Sequence, residues 1–255
     1  MIKFFRKIRY NLMGTRKTTK PAFAAGRYFK YAIGEIILVV IGILIAIQLN
    51  EWRLDSSNNK QKQIVLKALQ LEFEANLKQV DTVLFYIGKV KEYYPLANSI
   101  IKNPDGDISK SDVGDLIENL GYTWTFNPSN GALRSAISSS QIHLLKNNRL
   151  IELLFSWEDV VKDSEEEAQR LRKHQYDSYY KIAKYMRMSD AWRSNFPEMV
   201  SANKPSDYKG LLKDVFFEDY SSLSYAFAGE YITELNIIKS QNKEILAIIK
   251  EEIND

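Results

Sequence analysis

His143 and His174 are the only two histidines in this 255-residue chain, and cysteine is absent. The histidines stand 31 residues apart, and neither has a second His four positions away with Glu between them, the spacing that grips zinc from one helix face. Without cysteine there are no disulfides, thiolate nucleophiles, Cys-rich zinc sites, iron–sulfur clusters or thioether-linked haem. Carboxylates are plentiful in pairs, Glu158 with Asp159 and Glu165 to Glu167, but on charged helical stretches they fix no geometry for acid–base work. Ser138 to Ser140 has no GxSxG elbow around it. The eleven glycines are scattered, without a GxGxxG or GxxxxGK[ST] phosphate loop. These residue types predict a non-enzymatic protein with no cofactor, no metal and no catalytic set. An envelope hydrolase would need a convergent polar pocket built by the fold.

Charge is distributed unevenly along the chain. Residues 1–30 carry nine Lys or Arg and no acid, whereas residues 50–255 hold 26 basic against 31 acidic residues, a net −5. A mildly acidic body is a poor nucleic-acid binder, so no nucleic-acid partner is expected. Between the two regions lies YAIGEIILVVIGILIAIQL, residues 31–49, whose only ionisable group is Glu35. At about 1.5 Å per residue it would span roughly 28 Å, close to the hydrocarbon thickness of a bilayer. Tyr28, Phe29 and Tyr31 flank one end and Trp52 the other, where aromatic rings settle at lipid–water boundaries. A cut after Ala46 would place Leu44 where a signal peptidase needs a small residue, so the segment reads as an uncleaved anchor. The basic flank puts the N-terminus in the cytoplasm and residues 50–255 outside a bacterial inner membrane.

Within this span Gly34, Glu35, Gly42 and Ala46 share one helical face with Leu38, Ile45 and Leu49. Small residues let two membrane helices approach closely, and a polar group there can bond across the contact. The face therefore predicts self-association or docking to another membrane subunit. The alternative is that Glu35 lies about 6 Å from the boundary, where it reaches water and pairs with Lys30 or Arg27. Upstream, MIKFFRKIRYNLM gathers Ile2, Phe4, Phe5, Ile8, Leu12 and Met13 on one side. That pattern suits an amphipathic helix lying on an anionic leaflet, or else a basic topology signal without fixed structure.

Downstream of Trp52 helical periodicity dominates. Leu66, Leu69, Phe73, Asn76, Val80, Val83, Ile87, Val90 and Tyr94 follow alternating steps of three and four, a seam predicted to end at Pro95. Asn76 would either fix register in that seam or face water. Ser109 to Asn119 predicts a short helix closed near Gly121. In FNPSN, Phe126, Asn127, Pro128, Ser129 and Asn130 form a helix-cap motif, with Asn127 as cap, Pro128 in the first turn and Phe126 packing back on the helix. A third helical region covers Asn147 to Met188 and includes a solvated charged face, KDSEEEAQRLRK. KGLLKDVFF predicts a short helix, and Tyr231 to Ile253 the last one. The fold class is all-α: an N-terminal amphipathic segment within residues 1–30, one transmembrane helix over 31–49 and an exterior antiparallel helical bundle over 50–255.

With MIKFFRKIR, YAIGEIILVVIGILIAIQLNEW and FNPSN, the chain resembles an uncharacterised bacterial family of small single-pass membrane proteins, a domain of unknown function. The resemblance is close through Trp52 and afterwards centres on Phe126 to Asn130. Gly131 and Ala132 follow here, where the family is associated with a small polar residue and then Ala or an aromatic. The resemblance implies a membrane location and a helical exterior, and it supplies no activity. The expected partners are the lipid bilayer and either a second copy or a membrane protein, which makes the chain an interaction or assembly protein. An exterior ligand sensor is the alternative; its thirty cytoplasmic residues are too few for a signalling domain, so it would need a separate partner.

Overall fold

The computed structural model describes residues 24–191, 196–200 and 205–254. The proposed amphipathic segment at the N-terminus lies outside them. Seven α-helices and no strand occur among the described residues, so the all-α class holds. They are α1 (Ala24–Lys102), α2 (Lys110–Leu120), α3 (Gly131–Ser138), α4 (Asn148–Ile182), α5 (Met188–Ala191), α6 (Tyr208–Lys213) and α7 (Val215–Asn254). The chain divides into two compact units, residues 1–57 and 58–255.

In the first unit, α1 is long and apolar enough to cross a membrane, with a mean hydropathy of 2.6 over its most apolar window. None of that window is buried: Ile36, Leu38, Ile41, Leu44 and Ile47 are all exposed. A core helix of a soluble protein would bury such residues.

The second unit is a bundle of α4, α7 and residues 58–102 of α1. Helix α7 runs antiparallel to α1, from Gln63 and Lys62 against Glu252, through Asp81 against Lys239, to Tyr94 stacked on Tyr225 at 4.3 Å. It also runs antiparallel to α4, with Arg149 on Glu244, Gln241 on the Leu153 carbonyl and Arg170 on Glu230. The predicted seam forms the inward face of α1. Leu66, Leu69, Phe73, Val80, Val83, Ile87 and Val90 are buried with Trp157, Leu171, Leu235, Ile238 and Ile245.

Five boundaries differ from the sequence reading. Helix α1 passes through Pro95 to Lys102. Pro95 removes one helical N–H, but Ala97 and Ile100 beyond it are buried, and their burial outweighs the local penalty. Helix α3 starts at Gly131 rather than Pro128. Helix α4 stops at Ile182 rather than Met188; its start is as expected, with Asn147 accepting from the Leu150 N–H. The KGLLKDVFF helix breaks at Asp214, and the last helix begins at Val215 rather than Tyr231. There the Asp214 carboxylate accepts from the Phe216 N–H, turning the chain into α7. Helix α2 forms as expected and closes at Gly121, and Ser109 serves as its cap, accepting from the Asp112 N–H. The charged run 162–173 is solvated only in part, since Ser164, Ala168 and Leu171 within it are buried.

Candidate functional site

Residues 122–130 form no helix, yet they are held by side chains from three different helices. Asn76 of α1 is buried in the seam, where an unpaired amide would be costly. Its Nδ2 donates to the Ser129 carbonyl and its Oδ1 accepts from the Ser129 N–H, both at 2.8 Å. One turn earlier on the same helix, the Glu72 carboxylate accepts from the N–H groups of Ala132 at 2.7 Å and Leu133 at 3.0 Å. These are orphan donors at the start of α3, so a side chain from another helix provides the cap, and its charge suits the positive end of the helix dipole. A Cβ at Gly131 would meet Glu72 Oε2 at 3.7 Å, an ordinary contact, so a small side chain fits that position.

The FNPSN motif is thus a docking turn. Asn127 is exposed and donates to Thr125 Oγ1; it caps nothing. Asn130 takes the cap position, but its side chain makes no bond to α3 and accepts from Trp157 Nε1 at 3.0 Å. Pro128 is half-buried ahead of the helix. Phe126 is buried, with its ring edge-on to Trp157 of α4, and its N–H donates to the Tyr231 hydroxyl of α7 at 3.0 Å. Burial pushes the Tyr231 hydroxyl up to about 12, so it stays protonated. The sequence reading located the motif and missed its partners Glu72, Trp157 and Tyr231. A buried Trp or Tyr needs a partner for its polar tip, and that was their only signal.

Beside the turn lies a cleft of about 810 Å³. Trp124 stacks on Tyr86 at 4.0 Å and 5° on its rim, next to Tyr122, with Ile117, Tyr179 and Ile182 among the other lining residues. Desolvation, then the nearby Glu118 charge, raises the Tyr122 hydroxyl above its ordinary value. The cleft therefore offers aromatic faces, hydroxyls and the Glu118 carboxylate.

Of the two histidines, His143 is exposed, and His174 is half-buried over Tyr220. His174 Nε2 lies 3.2 Å from both the Tyr220 carbonyl and Ser224 Oγ. A carbonyl only accepts, so Nε2 carries the proton and cannot take one from Ser224. Ser224 is itself buried and accepts from Gln175 Nε2 at 2.9 Å. The pair is a structural network rather than a nucleophile with its base. Among the described residues no cluster of three or more His, Asp or Glu is placed to hold a metal.

In the first unit, Glu35, Gly42 and Ala46 are exposed and Gly34 is half-exposed. A Cβ placed on Gly34 or Gly42 would meet nothing within 4 Å.

Residues 35–156 match the family of unknown function DUF6090, which agrees with the resemblance drawn from the N-terminal and FNPSN motifs. The match covers Glu35, Gly42 and Ala46, both α1 clamps and the FNPSN turn, and ends one residue before Trp157. No curated protein and no solved structure matches the chain.

Proposed function

We propose that this protein is a membrane-anchored helical interaction protein without enzymatic activity. Residues 31–49 hold it in the bacterial inner membrane, residues 1–30 lie in the cytoplasm, and residues 50–255 form the exterior domain. It acts by associating with itself or with another membrane subunit, and the Gly34, Glu35, Gly42 and Ala46 face contributes to that contact. The observation carrying this reading is the contrast in burial. The apolar residues of the span are exposed throughout, while residues 58–255 close a core of their own. Exposed apolar surface of that extent is stable only against lipid or another protein. The nine basic residues before the span favour the stated orientation.

The test is topology in intact cells. A reporter active only outside the cytoplasm, fused after Asp255, is expected to be active, and the chain should stay with membranes at alkaline pH. A fusion active only in the cytoplasm reverses the orientation, and release of the chain by carbonate overturns the anchor. A second reading is a ligand sensor, supported by the aromatic cleft beside the FNPSN turn, whose volume suits a small molecule.

A further inference from the structure

The outward face of α1 carries a second heptad seam. Ile64, Ala68, Leu71, Ala75, Lys78, Thr82 and Phe85 follow alternating steps of four and three, and all are exposed. Ile64 is 67%, Leu71 71% and Phe85 61% exposed. Among the described residues of this unit, other exposed apolar side chains, such as Phe155, Tyr180 and Val215, form no such row. We propose that this seam is the docking surface for the same seam of a second copy, in a parallel two-helix contact outside the membrane.

The spacing itself favours a copy as occupant. In a parallel pair with heptad spacing each seam residue faces its own counterpart, so Ile64, Leu71 and Phe85 supply apolar layers from a single sequence. Ala68 and Ala75 alternate with them and let the helices approach. The flanking charges point the same way. Lys67 and Glu72 sit five residues apart on opposite borders of the seam, the offset that brings facing flanks together in a parallel pair. Two-fold symmetry then forms two Lys67–Glu72 contacts. The Glu72 carboxylate keeps lone pairs for this while holding α3, since two oxygens offer about four acceptor sites. An antiparallel pair centred near Ala75 would instead set Glu74 against its own copy. Lys78 weakens the seam in the middle, as polar residues do where they fix register at a cost in stability.

From Ile64 to Phe85 the seam covers about 32 Å, or three heptads, which is marginal for an isolated two-stranded coil. A shared membrane compensates. Two copies tethered at their spans meet at high effective concentration and in parallel orientation. In this respect the proposal rests on the membrane-anchored reading above.

Because the chain has no cysteine, single-cysteine variants report on it directly. Full-length Leu71→Cys and Phe85→Cys in native membranes, oxidised with copper phenanthroline, are expected to give a disulfide-linked homodimer. Tyr180→Cys, 84% exposed on α4, is expected to stay monomeric. Adding Ile64→Asp to Leu71→Cys should abolish the cross-link, and adding Lys78→Leu should strengthen it. Failure of Leu71→Cys to form a dimer, its capture of only a different protein, or equal cross-linking at Tyr180 overturns the seam. Carbonate extraction of the same membranes judges the anchor separately. A chain that stays in the pellet without cross-linking refutes the seam alone, and a released chain that still cross-links refutes the anchor alone.

Discussion

Between residues 64 and 90, α1 has two faces with the same alternating three- and four-residue steps and opposite surroundings. The inward face meets its partners within the chain: Phe73 against Trp157 at 4.9 Å, Asn76 on the Ser129 backbone and Val80 to Val90 in the core. The outward face presents Ile64, Leu71 and Phe85 to solvent. Periodicity thus marks where a helix can bury itself without saying whether the covering surface belongs to the same molecule. The difference lies in polar groups. The inward face carries Glu72 and Asn76 beside it, each bonded across more than fifty residues of sequence, and such bonds specify one partner.

If the inward face is the folding face, the largest loss should come from its central ring. Trp157→Ala removes a fully buried indole and leaves Asn130 Oδ1 without its donor. Such truncations cost about 3 to 5 kcal/mol. Thermal unfolding of the full chain in mild detergent should shift down by roughly 10 °C; an unchanged midpoint would place the indole outside the core.

Two buried asparagines divide the inward face further. Asn76→Ala strands both backbone groups of Ser129 and should cost about 2 kcal/mol. Asn242 of α7 is equally buried, but neither of its amide atoms has a partner. Asn242→Leu should therefore leave stability unchanged or raise it by about 1 kcal/mol. A loss equal to that of Asn76→Ala would reveal a bonded partner, such as an ordered water. Glu72→Gln removes the charge and, because both oxygens of Glu72 accept, sets an amide NH2 against one of the two N–H groups; the expected loss is about 1 to 1.5 kcal/mol, and only its charge part should shrink with added salt.

Burial holds the His174 ring below its ordinary value, against smaller opposing effects of the Tyr220 carbonyl and Asp177. Its contribution to stability is fully present above the unfolded value of about 6.5 and is lost as pH falls through the folded value. As pH falls below about 6.5, thermal midpoints should therefore drop by more in the native chain than in His174→Asn. Identical drops in the two would mean that the ring is hydrated in the folded state.

These residues also show where the sequence was legible. The apolar span and the inward seam follow from hydropathy and period alone, because burial on a helix repeats every three or four residues. The start of α7 did not, because Ser221 and Ser224 occupy buried positions there and interrupt the apolar pattern; Ser221 bonds back to the Phe217 carbonyl. Pro95 misled because its penalty is local and the burial of Ala97 and Ile100 is not. In FNPSN the composition announced a cap and the local pattern put it on Asn127, whereas the helix starts after Asn130 and its first N–H groups are held by Glu72, with Trp157 bonded to Asn130. Those partners are distant in sequence, and no local rule connects them.

The smallest expected effect is also the one that separates the two faces most directly. Leu71→Ser changes a residue that is 71% exposed, so little burial is lost on folding and the cost to the folded chain should stay within about 0.5 kcal/mol. Replacing Leu69, two residues earlier and fully buried, with Ser should cost several times more, since it opens a cavity and buries a hydroxyl. Measured in detergent at a dilution where only monomers remain, the comparison isolates folding from association. Were Leu71→Ser as destabilising as Leu69→Ser under those conditions, Leu71 would be covered by its own chain and the outward face would belong to the fold. A neutral Leu71→Ser that, combined with Phe85→Cys in the full chain, nevertheless loses the oxidised dimer in membranes would assign the residue to contact between copies alone.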